Sequence, residues 1–156
     1  MQQIEWTRLP LTYVISAVKS RLRQVAWRLL SPYELSPQQF QMLLAVAEEE
    51  GACHGDLARR TLMDKPTATR VLRALQQRGL VRLEPDPDHG RRLRISLDRR
   101  AQPLVKELLK LRKSIRKKVE LDLLDSERAE VRRILAIVMA NLDRMEAGAL
   151  PSPAGR

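Results

Sequence analysis

The chain has 156 residues, one domain's worth, of which 44% are hydrophobic and 31% charged. That balance suits a globular fold and excludes wholesale disorder. A net charge of +10 points to a polyanionic partner, nucleic acid ahead of an anionic membrane. A single cysteine excludes an intramolecular disulfide. One cysteine with two histidines, His54 and His89, offers no metal-ligand spacing, so neither metal nor cofactor is expected.

The apolar runs fall far short of a membrane span, so no membrane partner is expected. The first residues hold no basic region followed by a hydrophobic stretch, which makes a cytoplasmic setting the expectation. The charge is uneven. Residues 56–100 hold twelve basic and six acidic residues, and residues 106–118 hold seven and one. The excess therefore sits in a middle segment and in the helix after it.

Residues 1–9 read as an N-terminal arm. Beyond them Leu11, Ile15, Val18, Leu22, Val25 and Leu29 recur at alternating steps of four and three, the seam of a helix that packs lengthwise along others. "LSPQQF" follows: Ser36 as N-cap, Pro37 first in the helix, and Gln39 three residues after the cap form a capping box. Leu35 and Phe40 are spaced for a hydrophobic staple across it. The helix that starts there is expected to bury Phe40, Leu43, Leu44 and Ala47. A short helix from Gly55 to Leu62 comes next, carried by Leu57 and Ala58.

"DKPTATRVLRALQQRGLV", residues 64–81, predicts a capped helix closed by a glycine. Asp64 is placed to cap its start, and Pro66 is tolerated in the first turn. Ala68, Val71, Leu72 and Leu75 form the buried stripe, and Gly79 ends the helix. Pro66, Thr69, Arg70 and Arg73 fall on the opposite side, with Lys65 and Thr67 beside them. A solvated surface and a reading surface look identical over one helix, so the neighbours must decide. After Gly79 the period changes to two: "LVRLEP" and "RRLRISL" flank the turn "DPDHG", a two-stranded hairpin with Arg92, Arg94 and Ser96 on one face. Residues 102–123 are expected to be helical, with Pro103 setting the start near Gln102. A last helix begins in "LLDSERAEVRRIL" and is expected to bury Val131, Ile134, Leu135, Val138, Leu142 and Met145.

Helix, short helix, tight turn, basic-faced helix and arginine-rich hairpin make a winged helix-turn-helix, which lays its second helix in the DNA major groove. Arginine can bond guanine bidentately, and threonine can meet base edges or a thymine methyl. The fold class expected is mainly α with a small β-hairpin wing. No Ser/His/Asp set, metal cluster or phosphate loop suggests an enzyme.

"LSPQQFQMLLAVAEEEG" and "GDLARRTLMDKPTATRVLRALQQRGLVRLEPDPDHGRRLRISL", with the helices around them, resemble the MarR family of bacterial and archaeal transcription regulators over about residues 10–147. The resemblance implies a homodimer in which the terminal helices interlock: residues 10–34 and 101–147 as dimerisation helices, 35–100 as the DNA-binding lobe, and 148–156 as a flexible tail. The three apolar seams agree, since one small lobe cannot cover them. It also implies double-stranded DNA as partner, a pseudo-palindromic operator and a repressor's role. DNA contacts are then expected from Lys65, Pro66, Thr67, Thr69, Arg70, Arg73, Arg91 and Arg92.

Arg91 matches the family's minor-groove arginine. The wing departs from the family in having His89-Gly90-Arg91 where Asp-Arg-Arg is usual, with Asp88 as a substitute for the missing aspartate. Many relatives release DNA on binding a small phenolic or anionic molecule. Trp27, Arg28 and Tyr33 are the candidate lining here, against the plainer reading of junction packing. Cys53 takes a position where the family has an N-capping Thr or Ser. It is either a redox-sensing thiol or a small buried residue. The basic stripe Lys106, Lys110, Lys113 and Lys117 is either a solvated face or a backbone contact. The competing function is a non-specific architectural or RNA-binding protein built on the same basic lobe.

Overall fold

The computed structural model describes residues 4–87 and 92–148. They form two compact units, one reaching Leu111 and the other starting at Arg112, and each is described on its own.

The first unit is organised around one buried helix. Helix α1 (Leu11–Leu30) leads through a single 3-10 turn, Ser31–Tyr33, to α2 (Pro37–Glu48). The capping box is present: the Gln39 amide donates to Ser36 Oγ at 3.1 Å, and the Ser36 amide donates to Gln39 Oε1 at 2.8 Å. The expectation of a one-sided buried stripe on α2 needs correction. Met42, Leu43, Leu44, Ala45 and Val46 are all buried, while Phe40 and Ala47 are only partly so. The reason is that α2 is covered on several sides, by α1, by α3 (His54–Thr61) and α4 (Lys65–Gln77), and by strand β3 (Leu93–Leu97).

Two sheet features differ from the sequence expectation. A two-residue strand, β1 (Ala52–Cys53), pairs antiparallel with β3, which pairs on its other side with β2 (Val81–Pro85). The ribbon is thus a three-stranded sheet, and a strand of two residues has no period for a sequence pattern to show. Ile95, in the central strand, is fully buried. Leu93 is 46% exposed, because it stands opposite Pro85 at the far end of the ribbon, beyond the core.

Helix α4 forms as its pattern predicts. Ala68, Val71, Leu72 and Leu75 are buried, and Gly79 closes the helix at φ 66°, the left-handed conformation that costs glycine least. The turn before it contains Leu62 at φ 53°, an uncommon geometry for a branched residue, with its side chain in solvent. Helix α5 (Gln102–Val119) follows a 3-10 turn whose Arg100 amide donates to Asp98. Pro103 sits in its first turn, where a missing N–H leaves no bond unmade. Val105 and Leu108 reach the core, and no residue past Leu108 is buried among those described.

The second unit holds the end of α5 and helix α6 (Asp125–Glu146). Glu127 accepts the Leu124 amide at 2.7 Å, and Arg128 pairs with Asp125 and donates to the Leu123 carbonyl, so the helix start is well tied. Its apolar stripe is not buried within this chain: Val131, Ile134, Leu135, Leu142 and Met145 are exposed and Val138 half-buried. The short end of α5 in this unit is not long enough to cover it. In the first unit the α1 seam is likewise exposed at Leu11, Val18, Leu22, Val25 and Leu29.

The capping box should carry measurable stability. Ser36→Ala removes one acceptor and leaves the Gln39 amide to water, and is expected to cost about 1 kcal/mol in urea unfolding with an unchanged slope.

Candidate nucleic-acid interface

The candidate surface is the outer side of α4. Because Ala68, Val71, Leu72 and Leu75 point inward, a helix of 3.6 residues per turn turns Pro66, Arg70, Arg73 and Gln77 outward. These four, with Thr69 and Ala74, line an open concavity of about 460 Å³. Lys65 is exposed at the helix start and Thr67 is half-buried beside it. One helix thus brings together six of the eight residues expected to touch DNA. Gln77 and Ala74 extend the surface by one turn. The stripe spacing of Pro66, Arg70 and Arg73 continues to Gln77, and that was the available signal.

The first turn is held electrostatically as well as by backbone bonds. Asp64 Oδ1 accepts the Thr67 amide at 2.7 Å. Pro66 has no N–H to offer, so the cap runs through Thr67 alone. The Thr67 amide and then its hydroxyl hold the Asp64 carboxyl below the ordinary aspartate value, against a small opposing effect of burial, with the positive charge of Arg70 assisting. At the other end Arg78 donates to the Glu34 carbonyl at 2.7 Å and the Tyr33 carbonyl at 3.2 Å, fastening α4 to the turn between α1 and α2.

Thr69 is constrained in a way its sequence position did not suggest. Its hydroxyl donates to the Lys65 carbonyl at 2.9 Å, and the same oxygen lies 2.9 Å from Nε2 of His54, the first residue of α3.

The other expected residues lie elsewhere. Arg92 lines a separate recess with Cys53, Asp56, Asp86 and Arg94, at the far end of the ribbon, where the Asp86 amide donates to its carbonyl. Arg91, His89 and Asp88 lie outside the described residues. Cys53 occupies the N-cap position of α3 but does not cap it; its thiol donates to Asp56 Oδ2 at 2.9 Å. That bond and the ion pair with Arg59 hold the Asp56 carboxyl below its ordinary value. Trp27 is 53% exposed on α1, whereas Tyr33 packs against the core. Arg28 is exposed.

A helix–turn–helix followed by a paired β-ribbon, with the second helix facing outward, is a winged helix. Residues 33–92 match the sequence model described as the MarR family. The crystal structure of MarR is 25% identical, with a TM-score of 0.72 over 95% of this chain and 99% of that one. A Staphylococcus aureus MepR–DNA complex is 18% identical, with a TM-score of 0.80 over 86% of this chain and 99% of that chain. The transcriptional repressor CouR, bound to a 23-mer DNA duplex, is 20% identical, with a TM-score of 0.76 over 89% and 99%. No curated protein sequence matches the chain. Residues 33–92 of this chain thus resemble the winged helix of the MarR family of transcriptional regulators, and the solved structures share its fold. Among the described residues no helix is long and apolar enough to cross a membrane.

The Asp64 cap gives the α4 start a pH dependence of definite sign. A carboxyl whose folded pKa lies below its ordinary 3.8 contributes stability that is full above that value and lost as pH falls through the lowered one. Amide exchange at Thr67 should accelerate, relative to the α4 interior, as pH drops below about 4. Asp64→Asn keeps an acceptor without the charge and should remove that dependence.

Proposed function

We propose that this chain is a homodimeric, sequence-specific DNA-binding transcription regulator that acts as a repressor. The observation that carries the reading is α4 itself: its inner stripe is buried and its outer stripe offers Pro66, Arg70, Arg73 and Gln77 along one open surface. Arginines so placed can bond guanine O6 and N7 in a major groove, and Lys65 at the helix start suits a phosphate. Arg73 has no ion-pair partner among the described residues, so its guanidinium is available. Arg92 lies at the far end of the ribbon, near enough in sequence to act with Arg91 as the wing's contact with the backbone or minor groove. The MepR and CouR structures on DNA support the reading, since both share this fold.

The dimer is supported by the uncovered seam on α1 and the uncovered stripe on α6. Exposed aliphatic rows of that length are rare on a monomer's surface and favour a second copy. We further infer that Trp27, Arg28 and Tyr33, around the α1–α2 junction, take part in binding a small phenolic or anionic effector that releases the operator. Arg28 would meet the anion and the two rings the aromatic part. Cys53 fits a packing role better than a redox one. Its thiol is engaged with the Asp56 carboxylate, and a thiolate would face that charge directly.

Sedimentation should show a dimer at micromolar concentration. A stable, folded monomer would remove the dimer from this reading.

Selection of bound sequences from random DNA should return a rough palindrome with half-sites about one helical turn apart. Enrichment of no motif would favour the architectural or RNA-binding alternative. Arg73→Ala should cost roughly 1–3 kcal/mol on the selected site and flatten preference at one or two positions. Equal weakening on every sequence would instead place Arg73 on phosphate.

A further inference from the structure

Thr69 sits on the outward surface of α4, yet its hydroxyl is already engaged on two sides. A threonine hydroxyl has one proton and two lone pairs. Its proton goes to the Lys65 carbonyl at 2.9 Å, because a carbonyl has none to give. His54 Nε2, also at 2.9 Å from Thr69 Oγ1, is therefore the donor in the second bond. The imidazole must carry its proton on Nε2, and the Thr69 oxygen has no proton left for a ligand.

That arrangement limits what Thr69 can read. The major-groove acceptors of guanine, adenine and thymine need a donor, which this oxygen can no longer supply. Its remaining lone pair can only accept, from an adenine or cytosine amino group, and the other side-chain group left for the concavity that Thr69 helps to line is its methyl. Thymine alone presents a methyl group in the major groove.

A helical threonine ordinarily divides between two rotamers, because its oxygen can reach either of two carbonyls in the preceding turn. The bond from His54, fifteen residues earlier on a different helix, selects one of them.

We propose that His54 is a specificity-determining positioning residue: by holding the Thr69 hydroxyl against the Lys65 carbonyl, it makes α4 discriminate thymine by its methyl group. The inference rests on the proposed DNA-reading function. It assigns to α3 a part in sequence choice without a base contact of its own, and it divides the labour on α4 between apolar reading at Thr69 and hydrogen bonding at the arginines.

The test is sequence selection with the full chain, four single variants and one double variant, with thermal unfolding followed in parallel. The parent should prefer thymine at one step of each half-site. Thr69→Val keeps the methyl and should keep the preference. Thr69→Ser keeps the hydroxyl bonds but loses the methyl, and should reduce the preference about fourfold per half-site, the worth of one buried methyl group. His54→Ala should blunt the same step and no other. His54→Gln, whose amide N–H reaches about as far as Nε2, should restore it.

In a Thr69→Val background, where no hydroxyl remains to clamp, His54→Ala should change nothing further. A general loss of folding would appear in the unfolding curves and weaken all positions alike. The inference is overturned if Thr69→Ser keeps the thymine step while Thr69→Val loses it, or if His54→Ala leaves every preference intact on a motif the parent enriches. A parent that enriches no motif sinks the function reading, and this role with it. In that case ¹⁵N shifts of the His54 ring still report whether Nε2 carries the proton and whether Thr69→Val alters it.

Discussion

The orientation of α4 is set from behind. Four side chains, Ala68, Val71, Leu72 and Leu75, are buried against a helix that is itself buried on several sides. Each of the larger three contributes about 1.5–3 kcal/mol on burial. An exposed ion pair on the far side of the helix contributes roughly 0–1 kcal/mol. A rotation of the helix by one residue, about 100°, would sacrifice the larger sum to adjust the smaller. The outward cations therefore take their places as a consequence of packing. A surface placed this way can change its residues without moving its backbone.

The ends of α4 are fixed by different means, and the difference is informative. At the start Asp64 caps through Thr67, leaving the outer face free for Lys65 and Pro66. At the close Gly79 turns the chain into β2, and Arg78 reaches across to the Glu34 and Tyr33 carbonyls. Glu34 itself holds a left-handed backbone at φ 53°, so Arg78 ties α4 to a bend that few residues adopt. That bend follows α1 and the proposed effector residues. A ligand that shifted the α1–α2 junction would pull on Arg78, and through it on α4. This is a short path from the junction to α4, made of two hydrogen bonds.

Much of this was legible in the sequence, and where it was not the reasons are physical. The Ser36 box, the inner stripe of α4, the glycine stop and the switch of period after Gly79 are local signals, each contained within a few residues. They appear in the structure as read. Strand β1 was missed because two residues cannot display alternation. The all-round burial of α2 was missed because a stripe pattern reports one buried face and says nothing of neighbours on the others. His54 was missed for a related reason: its partner, Thr69, is fifteen positions away on another helix, and no spacing rule joins them. The α6 stripe is a different case. Its apolar residues were expected to be buried, and within one chain they are exposed. Periodicity identifies a face that requires cover without saying which chain supplies it.

That unsupplied cover bears on how the proposed regulator would gain affinity. The buried core ends at Leu108, while aliphatic rows continue along α6 and run the length of α1. If a second copy covers them, two reading helices become parts of one rigid body. The second helix then meets its half-site as an intramolecular event, at an effective concentration set by the spacing of the two lobes. Each half-site can accordingly be weak. A methyl contact worth a factor of about four and a guanidinium worth about tenfold or more suffice in duplicate where neither would in a single lobe. The same geometry makes the complex sensitive to spacing, since a change in the distance between lobes removes the intramolecular advantage without breaking any single contact. An effector acting at the α1–α2 junction, pulling on α4 through Arg78, would need only to alter that distance.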